Sequence, residues 1–114
     1  MKQFLDETQT AYLQARGIGT PKSVCKLTLD MDMDTVPIFS YSIGDLLDLL
    51  PEKIYDEDED ATASLQITSE WEVFYTGWDV SYKGCTDIFY YKMDAELIEA
   101  LYRMVIELKD KGLI

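Results

Sequence analysis

Histidine is absent from this sequence, and cysteine and proline are rare. The chain of 114 residues contains no histidine, two cysteines and three prolines. Histidine is the side chain best suited to general acid–base catalysis near neutral pH and the commonest protein ligand of metal ions. Ser40, Ser42, Cys25 and Cys85 therefore have no histidine to activate them as nucleophiles, which excludes the Ser–His and Cys–His arrangements.

The two cysteines and the lack of long apolar runs indicate the compartment. Cys25 and Cys85 are too few for a disulfide framework, and neither lies in a CxxC spacing. The first residues, MKQFLDETQT, lack the apolar run of a signal peptide, and no stretch of 18 apolar residues occurs. No GxGxxG or Walker-type loop occurs either. We expect a cytoplasmic protein with no membrane partner, no metal and no other cofactor.

Residues that form a core are abundant. Apolar residues make up 47% of the chain and aromatic residues 12%, with eight tyrosines. This composition is too rich in apolar side chains for a disordered chain, and 114 residues suffice for one domain with its own core. The sequence predicts a single domain over residues 1–114.

Negative charge dominates the sequence. Ten basic residues stand against 22 acidic ones, a formal net charge of −12. Residues 30–60 alone carry eleven acidic side chains and one basic side chain. Direct binding to nucleic acid is disfavoured, because that affinity comes from Lys and Arg on the phosphates. The expected partner is a protein, and a basic one would fit the charge.

Helical periodicity predicts three helices. Apolar and small residues recur at spacings of three and four in the N-terminal segment, and Gly17 follows them, so we expect a helix over 3–16. Ser42 and Asp45 have the spacing of a capping box in front of a short apolar helix that Pro51 ends. The third helix is predicted to begin after Asp94 as the N-cap.

The third helix is the clearest of the three. Its apolar stripe consists of Leu97, Ile98, Leu101, Met104, Val105 and Leu108. Two i,i+4 pairs, Glu99 with Arg103 and Glu107 with Lys111, have the order that favours ion pairs on a helix. The pattern predicts an amphipathic helix that packs on a sheet.

Alternating polarity predicts the strands. From Leu27 to Asp34 apolar residues alternate with polar ones, which indicates a strand over 24–34 with one buried and one acidic face. Further strands are expected at 65–67, 73–75, 78–82 and 88–91, with turns at 76–77 and 83–84. The elements predict a two-layer α+β fold in which a small antiparallel sheet packs with N- and C-terminal helices and a short connecting helix.

The order of these segments resembles a group of mobile-element proteins. YSIGDLLDLLPEKI, then the strand GWDVSY, then the helix DAELIEALYRMVIELKDKG are similar to short uncharacterised proteins of phages and mobile elements of gut Bacteroidetes. The resemblance covers about residues 40–112 and implies no catalytic residues. A second resemblance, of GWDVSYKGC followed by DAELIEAL, is to HicB-type antitoxins. The prolines that precede the Gly-Cys pair in those antitoxins are missing here, and the sequence pattern does not predict a DNA-binding segment.

Two acidic stretches are candidates for a partner surface. They comprise Asp30, Asp32 and Asp34, and the run Asp56, Glu57, Asp58, Glu59 and Asp60. The first opens like a DxDxD calcium loop, but Thr35 and Tyr41 stand where glycine and a bidentate glutamate are required. The other interpretations are a polar strand face, a solvated loop, and a mimic of nucleic-acid phosphates. In the mimic, carboxylates on one face of a strand would lie about 6.6 Å apart, close to the length of two nucleotide steps.

Aromatic residues concentrate in the second half of the chain. The candidate aromatic contact surface consists of Trp71, Tyr75, Trp78, Tyr82 and Tyr90. Because so small a domain cannot bury all of them, we expect an exposed patch that supports a monomer or a weak homodimer.

Three functions remain open at this point. The first is a non-enzymatic acidic protein-interaction module of phage or mobile-element origin. The second is an antitoxin-like or nucleic-acid-mimicking inhibitor of a basic partner protein. The third is a carboxylate-based hydrolase, since any two of the 22 acidic side chains could converge.

Overall fold

The computed structural model describes residues 1–57, 60–71, 76–85 and 87–114, without the side chains of Asp56, Glu70 and Trp71. The elements are α1 (Glu7–Ala15), β1 (Ser23–Leu29), β2 (Thr35–Ser40), α2 (Ile43–Leu49), β3 (Lys53–Asp56), β4 (Ala61–Trp71), β5 (Thr76–Lys83), β6 (Ile88–Asp94) and α3 (Leu97–Asp110). The predicted α+β fold with helices at both ends is confirmed. The strands form two antiparallel sheets, β1-β2 and β3-β4-β5-β6, where one had been expected.

Helix α3 covers one face of the four-stranded sheet. All six residues of its predicted apolar stripe are buried. Opposite them, Val80 and Tyr82 on the central strand β5 are fully buried, and Leu46 of α2 joins the same core. Because these side chains repeat at the 3.6-residue period of a helix and the two-residue period of a strand, the core could be predicted from local pattern.

The helix boundaries follow the caps. Ser42 and Asp45 form the expected capping box at the start of α2. Helix α1 begins at Glu7, later than predicted, because Asp6 and Gln9 form a capping box there. The N-cap of α3 is Glu96, and Asp94 was the wrong choice: its carboxylate instead accepts a hydrogen bond from the Glu96 backbone N–H at 2.9 Å.

The ion pairs of α3 are tertiary, whereas pairs within the helix had been predicted. Glu99 pairs with Lys2 of the N-terminal segment at 2.6 Å. Arg103 pairs with Asp94 at the end of β6 at 3.1 Å. Glu107 pairs with Lys92 of β6. These ion pairs join α3 to the N-terminal segment and to β6.

Several strand predictions need correction. Strands β2 and β3 were not predicted, and β4 is longer than the expected 65–67. Thr76 and Gly77 belong to β5 and pair with Trp71 and Glu70, so the turn predicted there is wrong. The strand predicted at 73–75 lies outside the described residues. The turn at Gly84 is confirmed by a 2.8 Å hydrogen bond from its N–H to the Asp87 carbonyl.

The largest correction concerns the strand predicted over 24–34. The chain reverses between Asp30 and Asp34, and β1 and β2 form a hairpin on either side of this turn. In the described part of the chain, β1 and β2 contact chiefly each other. The molecule measures 58 × 37 × 18 Å with a radius of gyration of 16.4 Å, larger than the roughly 13 Å of a compact domain of this length. The β1–β2 hairpin is therefore a lightly supported part of an elongated molecule.

Within the described residues, the helices are too short or too polar to span a lipid bilayer.

Candidate functional site

The β1–β2 hairpin presents one apolar face to solvent. Val24 pairs with Phe39, Leu27 with Pro37, and Leu29 with Thr35. Directly opposed residues in an antiparallel pair project to the same side, so these six residues form one face, which we call the outer face. Five of its six side chains are apolar.

The outer face is open to solvent along its whole length. Val24, Leu27, Leu29 and Phe39 are between 46 and 66% exposed, and Pro37 is also exposed. At the tip of the hairpin, Met31 is fully exposed and Met33 is 71% exposed. Single exposed apolar residues are common on protein surfaces, but a contiguous set on one face of a strand pair marks an interaction surface.

A β-bulge creates this face. The register shifts between Val24 and Lys26, so Cys25 is the extra residue of β1. The bulge brings Val24 and Leu27 to the same side although they are three residues apart, which a regular strand would not do. Without the bulge, Val24 would lie on the side of Lys26, away from Leu27 and Leu29.

The opposite, inner face of the hairpin is anchored to α1. Val36 and Ile38 are half-buried and Ser40 is buried. Ser40 donates a 2.8 Å hydrogen bond to the Leu5 carbonyl, and its oxygen lies 2.8 Å from the Thr10 hydroxyl. A groove of about 380 Å³ runs between α1 and this face. The anchor at the base fixes which face of the hairpin points to solvent.

Three aspartates form the tip of the hairpin. Oδ1 of Asp30 accepts 2.9 Å hydrogen bonds from the backbone N–H groups of Asp32 and Asp34. Carboxylate oxygens of the three residues lie within 4.8 Å of one another, and all three side chains are exposed. The predicted strand-like spacing of these acids is wrong, because they lie in a turn. The tip, defined as residues 30–34, is a compact patch of negative charge.

The second acidic stretch follows β3. Glu57 and Asp60 are exposed turn residues, and the Tyr55 hydroxyl donates to the Asp60 carboxylate. Asp56 is the last residue of β3, but its side chain lies outside the described part of the structure, as do Asp58 and Glu59 entirely. The described acids of this stretch are thus on a solvated turn.

The described residues of the aromatic contact surface predicted from the sequence are buried or partly buried against the core. Tyr82 is fully buried, and its hydroxyl donates a 2.6 Å hydrogen bond to the Pro51 carbonyl. Trp78 and Tyr90 pack against the core on the same side of the sheet. The Trp71 side chain and Tyr75 lie outside the described residues. Trp78 and Tyr82 of β5 and Tyr90 of β6, which pairs with Tyr82, lie on the side of the sheet that faces α3. They therefore do not form an exposed patch.

The open face of the four-stranded sheet carries polar side chains at its centre and exposed apolar or aromatic side chains on its edge strands, among them Tyr55, Ile88 and Met93. Asp79 and Ser81 of β5 lie on this side and are buried among its side chains. The Tyr91 hydroxyl donates a 3.0 Å hydrogen bond to the Asp79 carboxylate. Buried side-chain polar atoms in the described residues all have a hydrogen-bond partner. This face is internally satisfied and offers no group that demands a ligand.

Two carboxylates of α2 line one pocket, which is the arrangement that could support a hydrolase. Asp45 and Asp48 line a pocket of about 280 Å³ together with Lys22 and Tyr41. Burial by itself would raise the pKa of Asp45. Hydrogen bonds from Ser42 and Ser23, with the charge of Lys22, outweigh burial and lower that pKa. Asp45 is therefore an ionised helix cap and unsuited to act as a general acid.

The sequence pattern missed the residues of the outer face. Leu27 and Leu29 had been assigned to a buried face, and Phe39 and Pro37 to no strand. One local signal was available at Asp30. The side chain of an aspartate can accept a hydrogen bond from the backbone N–H two residues later, and this favours a turn.

Comparison with protein families, with curated proteins and with solved structures finds no match for the chain.

Proposed function

We propose that this protein is a non-enzymatic, acidic protein-interaction module that binds its partner through the outer face of the β1–β2 hairpin. The observation that carries the proposal is the exposure of Val24, Leu27, Leu29 and Phe39 on one face. Each such side chain gains roughly 1.5–3 kcal/mol when fully buried. A partner that covers this face gains that stabilisation, which makes the hairpin an effective binding surface.

The hairpin also needs support. A two-stranded hairpin is marginally stable in water unless a face is covered. Here the inner face is held at its base by Ser40 and Thr10, while the outer face stays bare. The anchored inner face holds the hairpin in position, and a partner that covers the outer face would stabilise it further.

The enzymatic alternative has weaker support. The carboxylates that line the pocket beside α2 include Asp45, which is engaged in a capping box and has a lowered pKa. A glycosidase needs one carboxylic acid whose pKa is raised, so that it is protonated at working pH. The pKa of Asp45 is shifted in the opposite direction.

The test uses paired variants and a random displayed peptide library. Peptides are selected on the wild-type protein, and their binding is then compared between L27S/L29S and the control I88S/M93S. Ile88 and Met93 are 53 and 39% exposed on the four-stranded sheet, so the control removes similar apolar surface elsewhere.

We expect most selected peptides to lose binding to L27S/L29S and to keep binding to I88S/M93S. Both variants should keep the wild-type circular dichroism spectrum, because the changed side chains are exposed. Peptides that bind L27S/L29S as well as the wild type would contradict the proposal.

A further inference from the structure

We propose that the occupant of the outer face is a basic protein, which lays an apolar segment along Leu27, Leu29 and Phe39 and sets Lys or Arg side chains against the tip aspartates. This inference rests on the proposed function and adds the chemistry of the partner. It is carried by the position of the acidic tip at the end of the apolar face. The two features are parts of one hairpin, so a single partner segment meets both.

The tip is a strong local source of negative potential. Asp30, Asp32 and Asp34 place carboxylate oxygens within 4.8 Å of one another. Their repulsion is relieved locally by the two N–H groups that donate to Asp30. Fixed like charges of this kind attract a cationic group and speed its association. A partner with Lys or Arg at this end gains from that potential.

Apolar side chains alternate with these charges. Met31 and Met33 project from the same five-residue tip, both largely exposed. Methionine is flexible and adapts to varied apolar surfaces, which suits a contact region. A Lys or Arg side chain also carries an apolar stem beneath its charge, so it can cover a methionine and reach an aspartate together.

The hairpin loop at the tip places one residue in the left-handed region, as three-residue loops built on a type I turn do. Met33 has φ of 64°, the left-handed region that glycine or asparagine adopts at lower cost. This conformation places the exposed side chain of Met33 between Asp32 and Asp34 in the chain.

A second copy of the chain fits the outer face less well. Each copy carries a net charge of −12. Hairpins stacked in parallel would bring six tip aspartates together, and like charges in contact repel. In an antiparallel stack each tip would approach the base of the other hairpin, where Asp45 and Asp48 lie beside Lys22. Neither arrangement sets the tip aspartates against an excess of positive charge, whereas a basic partner does.

The experiment uses three synthetic peptides of equal length. The first alternates Leu and Lys, the second alternates Leu and Glu, and the third alternates Ser and Lys. Binding of each peptide is measured by fluorescence anisotropy at low and at high salt, with wild-type protein and three variants. The variants are D30N/D32N/D34N, L27S/L29S and the charge-matched control E52Q/E57Q/D87N, which removes three exposed acids away from the hairpin.

We expect the Leu–Lys peptide to bind most tightly and to weaken as salt rises. D30N/D32N/D34N should weaken it about tenfold, since three exposed ion pairs of about 0.5 kcal/mol each sum to about 1.4 kcal/mol, which is a factor of ten. The control triple variant should change the affinity less than twofold. L27S/L29S should abolish the preference for Leu–Lys over Ser–Lys.

The other outcomes separate the two proposals. If D30N/D32N/D34N behaves like the charge-matched control while L27S/L29S loses binding, the outer face binds partners but the basic chemistry is overturned. If L27S/L29S keeps the preference for Leu–Lys, the proposed function itself fails. Light scattering provides the third outcome. If the wild type is a dimer and L27S/L29S is a monomer, the outer face binds a second copy of the chain and the proposal of a basic partner is overturned.

Discussion

The hydroxyl oxygens of Thr10 and Ser40 lie 2.8 Å apart at the buried junction of α1 and β2. Ser40 donates its single proton to the Leu5 carbonyl at 2.8 Å, so Thr10 is the donor in the pair. This short chain of hydrogen bonds joins the N-terminal segment, α1 and the base of the hairpin. The orientation of the outer face depends on it.

Removing the centre of this chain should be costly. Ser40→Ala leaves the Thr10 hydroxyl and the Leu5 carbonyl without this partner, and we expect a loss of about 1–3 kcal/mol in the free energy of unfolding. Thr10→Val should cost less, because Ser40 keeps its bond to Leu5. Urea denaturation measures both. In the double variant the loss should be smaller than the sum of the two, and strict additivity would show that the hydroxyls are not coupled.

Tyr82 should make the protein sensitive to alkali. Burial raises the pKa of Tyr82 to about 12 from its ordinary value of 10.0. The neutral phenol is favoured in the folded state, so its contribution to stability is complete below pH 10 and is lost as pH rises from 10 toward 12. Two pKa units correspond to about 2.7 kcal/mol.

Absorbance at 295 nm and denaturation at several pH values test this behaviour. Tyr82→Phe also removes the hydrogen bond to the Pro51 carbonyl, so it should be about 1 kcal/mol less stable than the wild type at pH 7. The variant should then lose less stability than the wild type between pH 10 and 12. If the wild type and Tyr82→Phe lose the same stability between pH 10 and 12, groups other than Tyr82 cause the loss.

The capping box of α2 should contribute to stability in a pH-dependent way. Because Asp45 has a pKa below its ordinary 3.8, its carboxylate stabilises the fold above that pH, and the stabilisation is lost as pH falls through the lowered pKa. Asp45→Asn should cost about 0.5–1 kcal/mol at pH 7 through the lost charge at the helix N-terminus. Thermal unfolding from pH 7 to 2 should show this difference shrinking toward the acid end. If the difference in stability between the wild type and Asp45→Asn stays constant from pH 7 to 2, ionised Asp45 is not its source.

Met33 offers a substitution that should stabilise the protein. Met33→Asn places a residue that tolerates the left-handed region at φ of 64°, and we expect a gain of about 0.5–1 kcal/mol in the free energy of unfolding. Met31→Asn is the matched control, because Met31 is equally part of the tip but fully exposed without a positive φ. It should change stability by less than about 0.5 kcal/mol. Equal effects of the two substitutions would show that the backbone of Met33 is not strained.

Local patterns were sufficient for the helices and the central core. Ser42 and Asp45 define the start of α2 through bonds within four residues, and the stripe on α3 follows from the helical period. The predicted N-cap Asp94 was two residues early, since its carboxylate bonds the N–H of Glu96 and the helix starts after that residue. Patterns of this length succeed because the atoms concerned are neighbours in sequence.

The sequence by itself therefore determined the three helical segments, the apolar stripe of α3, the strand β5 and the acidic character of the chain. Tertiary structure decided which apolar faces are covered. The alternation in residues 27–33 is the same whether a strand is buried or bare, and only the turn at Asp30 and the anchoring of Ser40 to Thr10 leave Leu27 and Leu29 in solvent. Conversely, Tyr82 is buried because α3, distant in sequence, packs on that side of β5. Burial depends on which segments meet, and short-range periodicity carries no information about that.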